Sequence, residues 1–364
     1  MELNYTYQNP IPDIFDPLDY KEEKKINLNN ILRNEIDNKV EDFRKDITIF
    51  IFNNNKNYNM GNKPYLNCRE ITTIDDPDYS KFIKITENEG DKKDVFSVNA
   101  YNSGDKISLC TMGTILKGGH QTRMIRIPTL LFPNEENYLE TFCVANNMWD
   151  MNSNKNFTVS ESFVLPELLH VDIKNTVQDF TTQKKPDDYR QVSQNKISRI
   201  VKSRFEKIGK LPKNLDLQEI YTCYPLFKNN SFKINNFIKQ ITSFNGIIIF
   251  LDCKTWFVFI SLYQDLLSEI FKKIMFSFIF EILFRNDYYF CTKYSDVPKY
   301  NDAIRVRRII THTPSIKYND NLWLTHSDDC YGFGLEYKGK IFCFFACSPE
   351  FTIFDTVSKK LSAS

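Results

Sequence analysis

One stretch of the sequence, residues 113–149, limits the fold more than any other because it has the densest pattern of turn residues and apolar runs. It reads GTILKGGHQTRMIRIPTLLFPNEENYLETFCVANNMW. An apolar run ends at Gly118-Gly119, a polar cluster follows, and two further apolar runs span residues 124–132 and 139–144 before Trp149 closes the stretch. Short apolar runs separated by glycine and polar breaks are typical of β-strands joined by turns. The stretch therefore predicts a β-rich region.

The polar cluster after the glycines is a candidate ligand site. Paired glycines let the chain turn tightly or let another group approach the backbone closely. Lys117, Gln121 and Arg123 lie next to that turn. In an extended chain, Gln121 and Arg123 point to the same side. An amide beside a guanidinium suits a carboxylate or phosphate, whereas the alternative interpretation is an ordinary hairpin turn with solvated charges.

The remaining apolar patterns predict an α+β fold. Its β-rich N-terminal half, residues 46–149, is expected to form a sandwich- or barrel-like sheet packed with helices, and its C-terminal portion a hairpin, a helix and a second hairpin. Strands are predicted at Thr48–Phe52, Phe82–Ile85, Val95–Ala100 and Ile107–Leu116; helices at Leu28–Phe43, Glu161–Val177, Arg190–Ile208 and Leu266–Phe284; and hairpins at Asn245–Tyr263 and from Tyr331. If the segment around Arg305 and Arg307 is a strand, alternation puts both arginines on one face.

Charge and apolar run lengths argue against nucleic acid and membrane partners. The formal net charge of the 364-residue chain is +1, so no overall field attracts the chain to polyanions. In the longest apolar segment, Asp252 and Lys254 interrupt the run, and neither half has the roughly twenty residues of a membrane span. The first twenty residues are polar and interrupted by proline, unlike a signal peptide. These observations predict a cytoplasmic protein.

The cysteines and histidines give no pattern of a metal centre. The nine cysteines are odd in number and scattered, which predicts reduced thiols without disulfides. The pair Cys343 and Cys347 has no second ligand pair nearby, and none of the four histidines lies at ligand spacing from another. We therefore expect no metal and no cofactor, and the sequence assigns no catalytic residue.

The residues of the organising stretch resemble a known family pattern. The segments Gly118-Gly119-His120-Gln121-Thr122-Arg123 and Phe142–Trp149 resemble the signature of a domain family named for its association with ADP-ribosylglycohydrolases and rhodanese–phosphatase-superfamily proteins. The family has Glu where this chain has Ala145, and Arg where it has Met148. The resemblance covers most of the chain beyond about residue 60 and implies an association with ADP-ribose or NAD chemistry.

The resemblance and the local pattern lead to two functional hypotheses. The first is a ligand-binding or interaction module that recognises a nucleotide-like small molecule, or a protein partner, through Lys117, Gly118, Gly119, Gln121, Arg123 and Trp149. The second is an enzyme of ADP-ribose or NAD metabolism that is degenerate in this member. The missing Glu at Ala145 and Arg at Met148 favour the first.

Two structural expectations accompany these hypotheses. We expect an N-terminal arm and helix in residues 1–45, one domain over residues 46–352 and a tail in residues 353–364. We also expect Arg123 either to face an anionic ligand or to pair with an acid from elsewhere, with Glu140 and Glu161 as candidates, because a buried guanidinium needs a partner.

Overall fold

The computed structural model describes residues 21–27, 47–53, 70–88, 96–146, 155–181, 186–208, 215–217, 220–221, 236, 245–251, 255–288 and 299–349. The helix predicted at residues 28–43 and the predicted tail, residues 353–364, lie outside these ranges. So do Met148 and Trp149.

The strands are short and numerous, as the breaks in the sequence predict. In chain order they are β1 (Lys21–Asn27), β2 (Ile47–Asn53), β3 (Ile71–Thr73), β4 (Ile83–Thr86), β5 (Ser97–Asn102), β6 (Ile107–Cys110), β7 (Thr114–Gly118), β8 (Arg123–Ile125), β9 (Thr129–Leu131), β10 (Glu136–Cys143), β11 (Ala145–Asn146), β12 (Asn156–Phe163), β13 (Leu215–Asp216), β14 (Gly246–Leu251), β15 (Thr255–Ser261), β16 (Ser315–Lys317), β17 (Leu322–Ser327), β18 (Cys330–Tyr337) and β19 (Lys340–Cys347).

The helices of the described residues are α1 (Pro166–Thr181), α2 (Pro186–Ile208), α3 (Gln264–Tyr288) and α4 (Tyr300–His312), with one short 3-10 turn at Ser80–Phe82. Helices and largely antiparallel sheets occur together, so the predicted α+β class is confirmed. By their contacts, the residues form two compact units. The predicted single domain over residues 46–352 stays a prediction, because compactness alone does not decide whether two units unfold together.

The first unit, Met1–Asn57, Phe244–Leu262 and Phe290–Ser364, is built on one antiparallel sheet. Its eight strands run in the order β1-β2-β14-β15-β19-β18-β17-β16. Helix α4 lies on one face of this sheet, where Ala303, Val306 and Ile310 belong to the same buried cluster as the sheet residues. Their spacing of three and four residues places them on one side of a helix, so α4 is held by apolar packing.

The β14–β15 hairpin confirms the hairpin predicted at residues 245–263. Gly246 pairs with Ile260 and Leu251 with Thr255, and every residue of both strands is buried. Strands buried on both faces read as continuous apolar runs, which explains why each strand is an unbroken apolar run on its side of Asp252 and Lys254. The side chain of Trp256 is 4% exposed and lies in the core, as predicted.

The closing β18–β19 hairpin is confirmed as well. Tyr337 pairs with Lys340 across a two-residue turn, and the turn residues Lys338 and Gly339 have φ angles of 50° and 74°. Two-residue hairpin turns of type I′ need positive φ at both central positions. The Lys-Gly pair therefore fits this turn, with glycine at the position where a left-handed backbone carries no steric penalty.

The second unit, Tyr58–Ser243 and Tyr263–Tyr289, contains the barrel that the sequence predicts as one of two options. Six strands close in the order β10-β5-β4-β12-β7-β8, beside a three-stranded sheet β3-β6-β9 and a short pair β11-β13. Strand side chains alternate, and the buried side chains Val98, Ala100, Leu116, Ile125 and Leu139 form one core cluster with their neighbours.

A buried ion cluster joins the three helices described in the second unit, α1, α2 and α3. Arg204 of α2 donates from one nitrogen to Glu167 of α1 at 2.9 Å and to Glu281 of α3 at 2.7 Å. The guanidinium also lies 4.6 Å from the Phe284 ring centre. Removing one member of a buried ion group costs about 3–5 kcal/mol because the other charges remain buried. Arg204 thus fixes the register of α1, α2 and α3.

Two element predictions need correction, and one open assignment is decided. The predicted strand 107–116 is two strands, β6 and β7, because the chain turns at Gly113 with a φ of 81°. The predicted helix 161–177 begins late: residues up to Phe163 belong to strand β12, and α1 starts at Pro166, a proline position that suits a first helical turn. The segment around Arg305 and Arg307, for which the sequence left a strand open, is helix α4, because the apolar residues on either side recur at helical spacing.

Candidate functional site

The Gly118-Gly119 turn lies at the end of β7, where Gly118 pairs with Phe157 of β12, and leads into the connection to β8. Both glycines have positive φ, 110° and 57°, which is the backbone that the predicted tight turn requires, while the turn itself stays a prediction. A Cβ at Gly118 would lie 2.5 Å from the Asn156 carbonyl oxygen, and one at Gly119 would lie 2.2 Å from the Phe157 ring. Gly119 N–H donates to the Asn156 carbonyl at 3.0 Å. Conformation and space therefore both require glycine at these two positions.

Arg123 is buried and paired. Its side chain is 0% exposed, and its Nη2 donates to Glu87 Oε2 at 2.7 Å. The other oxygen, Glu87 Oε1, accepts the backbone N–H of His120 at 2.8 Å. Two donors of the turn thus hold one carboxylate. The acid is Glu87 and not Glu140 or Glu161, the two predicted candidates.

The other predicted site residues differ in exposure. Lys117 is exposed, and His120 and Gln121 are partly exposed. Strand β8 begins only at Arg123, so strand alternation does not place Gln121 on the same side as the guanidinium. The shared concavity of Gln121 and Arg123 therefore stays a prediction. Trp149, the last predicted site residue, lies outside the described residues.

Ala145 lies close in sequence to the partner strand of Arg123. Cys143 of β10 pairs with Arg123 of β8, and Ala145 follows two residues later, in the short strand β11 paired with β13. The Ala145 carbonyl oxygen accepts a hydrogen bond from the Cys143 thiol. Glu87, which directly follows β4, supplies the negative charge that Arg123 needs.

A second polar cluster surrounds Arg126, which the sequence analysis did not single out. Its Nε donates to the Thr176 hydroxyl at 2.8 Å, its Nη1 to Glu140 at 3.2 Å and its Nη2 to Asp179 at 3.4 Å. Asp172 Oδ1 lies 3.5 Å from Nε. Asp172, Thr176 and Asp179 recur at helical spacing, so α1 presents one polar stripe to a single guanidinium.

Asp172 is the most strongly perturbed carboxyl of this cluster. It is fully buried, and burial raises its pKa to about 7, with Glu140 acting in the same direction while Arg126 and the Thr176 hydroxyl oppose the shift. Its Oδ1 accepts the Thr176 hydroxyl at 3.0 Å. Its Oδ2 accepts no hydrogen bond from the described part of the chain. Desolvation of the carboxylate outweighs the nearby guanidinium.

The described cysteines are buried and poorly suited to nucleophilic chemistry. Cys110, Cys143, Cys330, Cys343 and Cys347 are free thiols. Burial raises the pKa of Cys110, Cys330 and Cys343 above the ordinary value, so these groups are thiols rather than thiolates at neutral pH. Within the ranges the structure describes, no group of His, Cys, Asp and Glu is arranged to hold a metal ion.

Sequence reasoning missed Glu87 and the Arg126 cluster for different reasons. Glu87 meets Arg123 only through the pairing of β4 with β12 and of β12 with β7, and no local pattern indicates that register. The Arg126 cluster had a local signal. A second arginine lies within the apolar run 124–132, and the polar residues 172, 176 and 179 share one face of a predicted helix.

Comparison with known proteins gives one match. The family model described as the ARG and Rhodanese-Phosphatase-superfamily-associated Protein domain matches residues 42–346. Neither a curated protein nor a solved structure matches the chain. None of the helices in the described residues has the length and apolar character needed to cross a membrane.

Proposed function

Because the chain belongs to the ARG and Rhodanese-Phosphatase-superfamily-associated Protein domain family, we propose that it is a ligand-binding or interaction module that recognises an anionic, nucleotide-like group at the Lys117–Arg123 turn. Its ligand class would be ADP-ribose or an NAD-derived molecule, which is the chemistry that the family's association implies. The family match itself supports a domain associated with the ARG and rhodanese–phosphatase superfamilies, and the ligand is our proposal.

One observation carries this proposal: two donors of the turn converge on a single carboxylate. The Arg123 guanidinium and the His120 N–H each bind one oxygen of Glu87, at 2.7 and 2.8 Å. Charge-assisted donors at these distances also bind phosphate, and the His120 N–H adds a backbone donor beside the guanidinium. The turn therefore has the donor chemistry that a pyrophosphate needs.

Lys117 supplies the solvent-facing part of the proposed site. It is exposed at the end of β7, directly before the two glycines. A flexible ammonium group there would meet a second phosphate without first leaving an ion pair in the core. The partly exposed Gln121 adds an amide that can donate to a ribose or phosphate oxygen and accept from an adenine amino group.

Thermal unfolding with added ligand tests the proposal. ADP-ribose and NAD should raise the melting temperature of the wild-type chain, and by more than inorganic phosphate does, since a ligand at a hundredfold its Kd adds about 2.7 kcal/mol to the free energy of unfolding. The Lys117→Ala variant should lose most of the shift. Lys84→Ala, which removes another exposed lysine of the same barrel, is the matched control. The proposal is wrong if none of the ligands raises the melting temperature, or if both variants respond equally.

A second candidate function is an enzyme acting on ADP-ribose- or NAD-derived substrates. The observation that favours it is Asp172, a buried carboxyl whose pKa is raised to about 7. Groups with pKa values near the working pH are suited to proton transfer. Chromatography of NAD and of an ADP-ribosylated peptide after incubation tests it: product formation that Asp172→Asn abolishes would support an enzyme, and the absence of product would exclude these two substrates.

A further inference from the structure

We infer that Glu87 is an internal anion that occupies the turn and competes with external anions for the donors of Arg123 and His120. This inference rests on the proposed function, since it concerns the regulation of the same site. The alternative is a permanent ion pair that only stabilises the barrel. The two differ in whether another anion takes the place of the carboxylate once Glu87 is removed.

The contacts of Glu87 are those of a bound ligand rather than of a surface pair. The residue is 5% exposed, and each of its two oxygens meets a different donor, Oε2 the guanidinium and Oε1 a backbone N–H. Most surface ion pairs involve one flexible contact and contribute little. Here the carboxylate is recognised at two points, which fixes both its position and its plane.

The turn leaves space for the carboxylate by using glycine. A Cβ at Gly119 would lie 2.6 Å from Glu87 Oε1, closer than a carbon and an oxygen approach without a bond. The ring of Phe157 lies on the same side, at 2.2 Å from that Cβ and 5.8 Å from the Arg123 guanidinium carbon. Gly119, Phe157 and Arg123 thus form a cradle that accommodates a small oxyanion.

The occupant and the cradle come from different segments of the barrel. Glu87 follows the last residue of β4, and its backbone N–H donates to the Lys155 carbonyl at 2.9 Å. The next residue, Asn88, is anchored by its side chain to Ser97 at 2.7 Å. The donors lie in the β7–β8 connection. A rotation about the side-chain bonds of Glu87 therefore withdraws the carboxylate without changing the backbone of the turn.

Competition of this kind has a measurable consequence. A site that is open for only a fraction of the time binds its ligand more weakly by that fraction. If Glu87 fills the cradle for more than nine tenths of the time, removing its charge tightens the binding of phosphate or acetate by about tenfold or more. The donors should also prefer small oxyanions, since the cradle is fitted to a carboxylate.

The test compares Glu87→Ala with the wild type and with Glu161→Ala, which removes an exposed acid from the same barrel. Sodium phosphate and sodium acetate are the probes, at constant ionic strength set with chloride. We expect Glu87→Ala to melt below the wild type in chloride and to regain stability as either probe is added, with binding at least tenfold tighter than in the wild type by calorimetry. The wild type and Glu161→Ala should respond weakly. The double variant Glu87→Ala/Arg123→Met should lose the response.

The outcomes separate this inference from the proposed function. If phosphate or acetate restores the stability of Glu87→Ala but ADP-ribose does not bind, the competition by Glu87 is supported and the proposed nucleotide ligand is wrong. If the wild type and Glu87→Ala bind ADP-ribose equally well, the proposed ligand is supported and the competition by Glu87 is overturned. If Glu87→Ala does not fold, Glu87→Gln keeps the side-chain size and lacks the charge, and it should still bind phosphate more tightly than the wild type. No gain in Glu87→Gln would overturn the inference.

Discussion

At the residue scale, the second unit places guanidinium groups in its interior and surrounds them with carboxylates. Arg123, Arg126 and Arg204 are at most 1% exposed, and each donates to at least one acid. An ionised group in the interior is costly unless charge and hydrogen bonds compensate it. These acids come from strands and helices distant in sequence, so each buried arginine reports on a tertiary arrangement.

The sequence predicts those features of the Arg123 site that depend on residues near Arg123 in the chain. The backbone of Gly118-Gly119 could be predicted because a glycine conformation depends on the residue itself. The need of Arg123 for an acid could be predicted as well, because burial of a charge has a known cost. The identity of Glu87 could not, since 36 residues separate the partners and only the strand register brings them together.

Asp172 should make the stability of the chain depend on pH. Its pKa is about 7 when folded and about 3.8 in a model peptide, so the folded state holds this proton more tightly. The stabilisation is complete below about pH 4 and is lost as the pH rises towards 7, by at most about 1.4 kcal/mol per pH unit. Denaturant titrations at pH 5, 6, 7 and 8 measure it.

The matched variants isolate this carboxyl from the others. Asp172→Asn removes the titrating group, so the difference in unfolding free energy between wild type and variant should change with pH over this window. Asp179→Asn, which removes another acid from the same guanidinium, should leave that pH dependence in place. Parallel pH profiles for wild type and Asp172→Asn would contradict the raised pKa.

The thiols should show no disulfide in the native protein. The described cysteines are buried and free, and burial raises the pKa of Cys110, Cys330 and Cys343, which slows both oxidation and alkylation. A sample alkylated at lysis should migrate identically with and without reductant. A band that shifts on reduction would mean that a disulfide exists.

At the element scale, the hairpins were predictable and helix α4 was not. Both hairpins combine apolar runs with short polar breaks, and their pairing is between neighbours in sequence. Helix α4 was not predicted because the alternation of Arg305 and Arg307 within four residues is also compatible with a strand. The wider window shows Ala303, Val306 and Ile310 at helical spacing, and the packing of those residues on the sheet decides the structure.

Trp256 should be a core residue by its effect on stability. It is 4% exposed within the cluster that includes Val306 and Phe344, so Trp256→Ala leaves a large cavity and should lower the free energy of unfolding by about 3–5 kcal/mol. Tyr318→Ala removes a side chain of the same unit that is 44% exposed and should cost about 0.5 kcal/mol or less. An unchanged melting temperature for Trp256→Ala would place the indole outside the core.

At the scale of the whole molecule, both units are discontinuous in sequence. The first consists of three segments and the second of two. Strand β2 pairs with β14, although most of the second unit separates them in the chain. The α+β class and the barrel could be predicted from pattern alone, whereas this division could not, because apolar periodicity predicts elements and says nothing about which of them assemble together.

A fragment that ends near residue 180 should not fold by itself. It contains Glu167 of α1 but lacks Arg204 of α2 and Glu281 of α3, so a buried acid would lose its partner. It also lacks β14 to β19, which complete the sheet of the first unit. Limited proteolysis and near-UV circular dichroism of residues 1–180 would measure this. A protease-resistant fragment with near-UV signal would show that the predicted single domain divides.

The separation of β2 from β14 also matters while the chain is being synthesised. The ribosome makes roughly 190 further residues between these strands, which takes about 10–40 s at 5–20 residues per second. During that interval the apolar residues Ile49, Phe50 and Ile51 have no β14 beside them, and an unpaired apolar strand is a template for aggregation. Strand β19, which lies between β15 and β18, is made last. The edge of β2 that later pairs with β14 therefore stays open until β14 itself, which begins at Gly246, has been made.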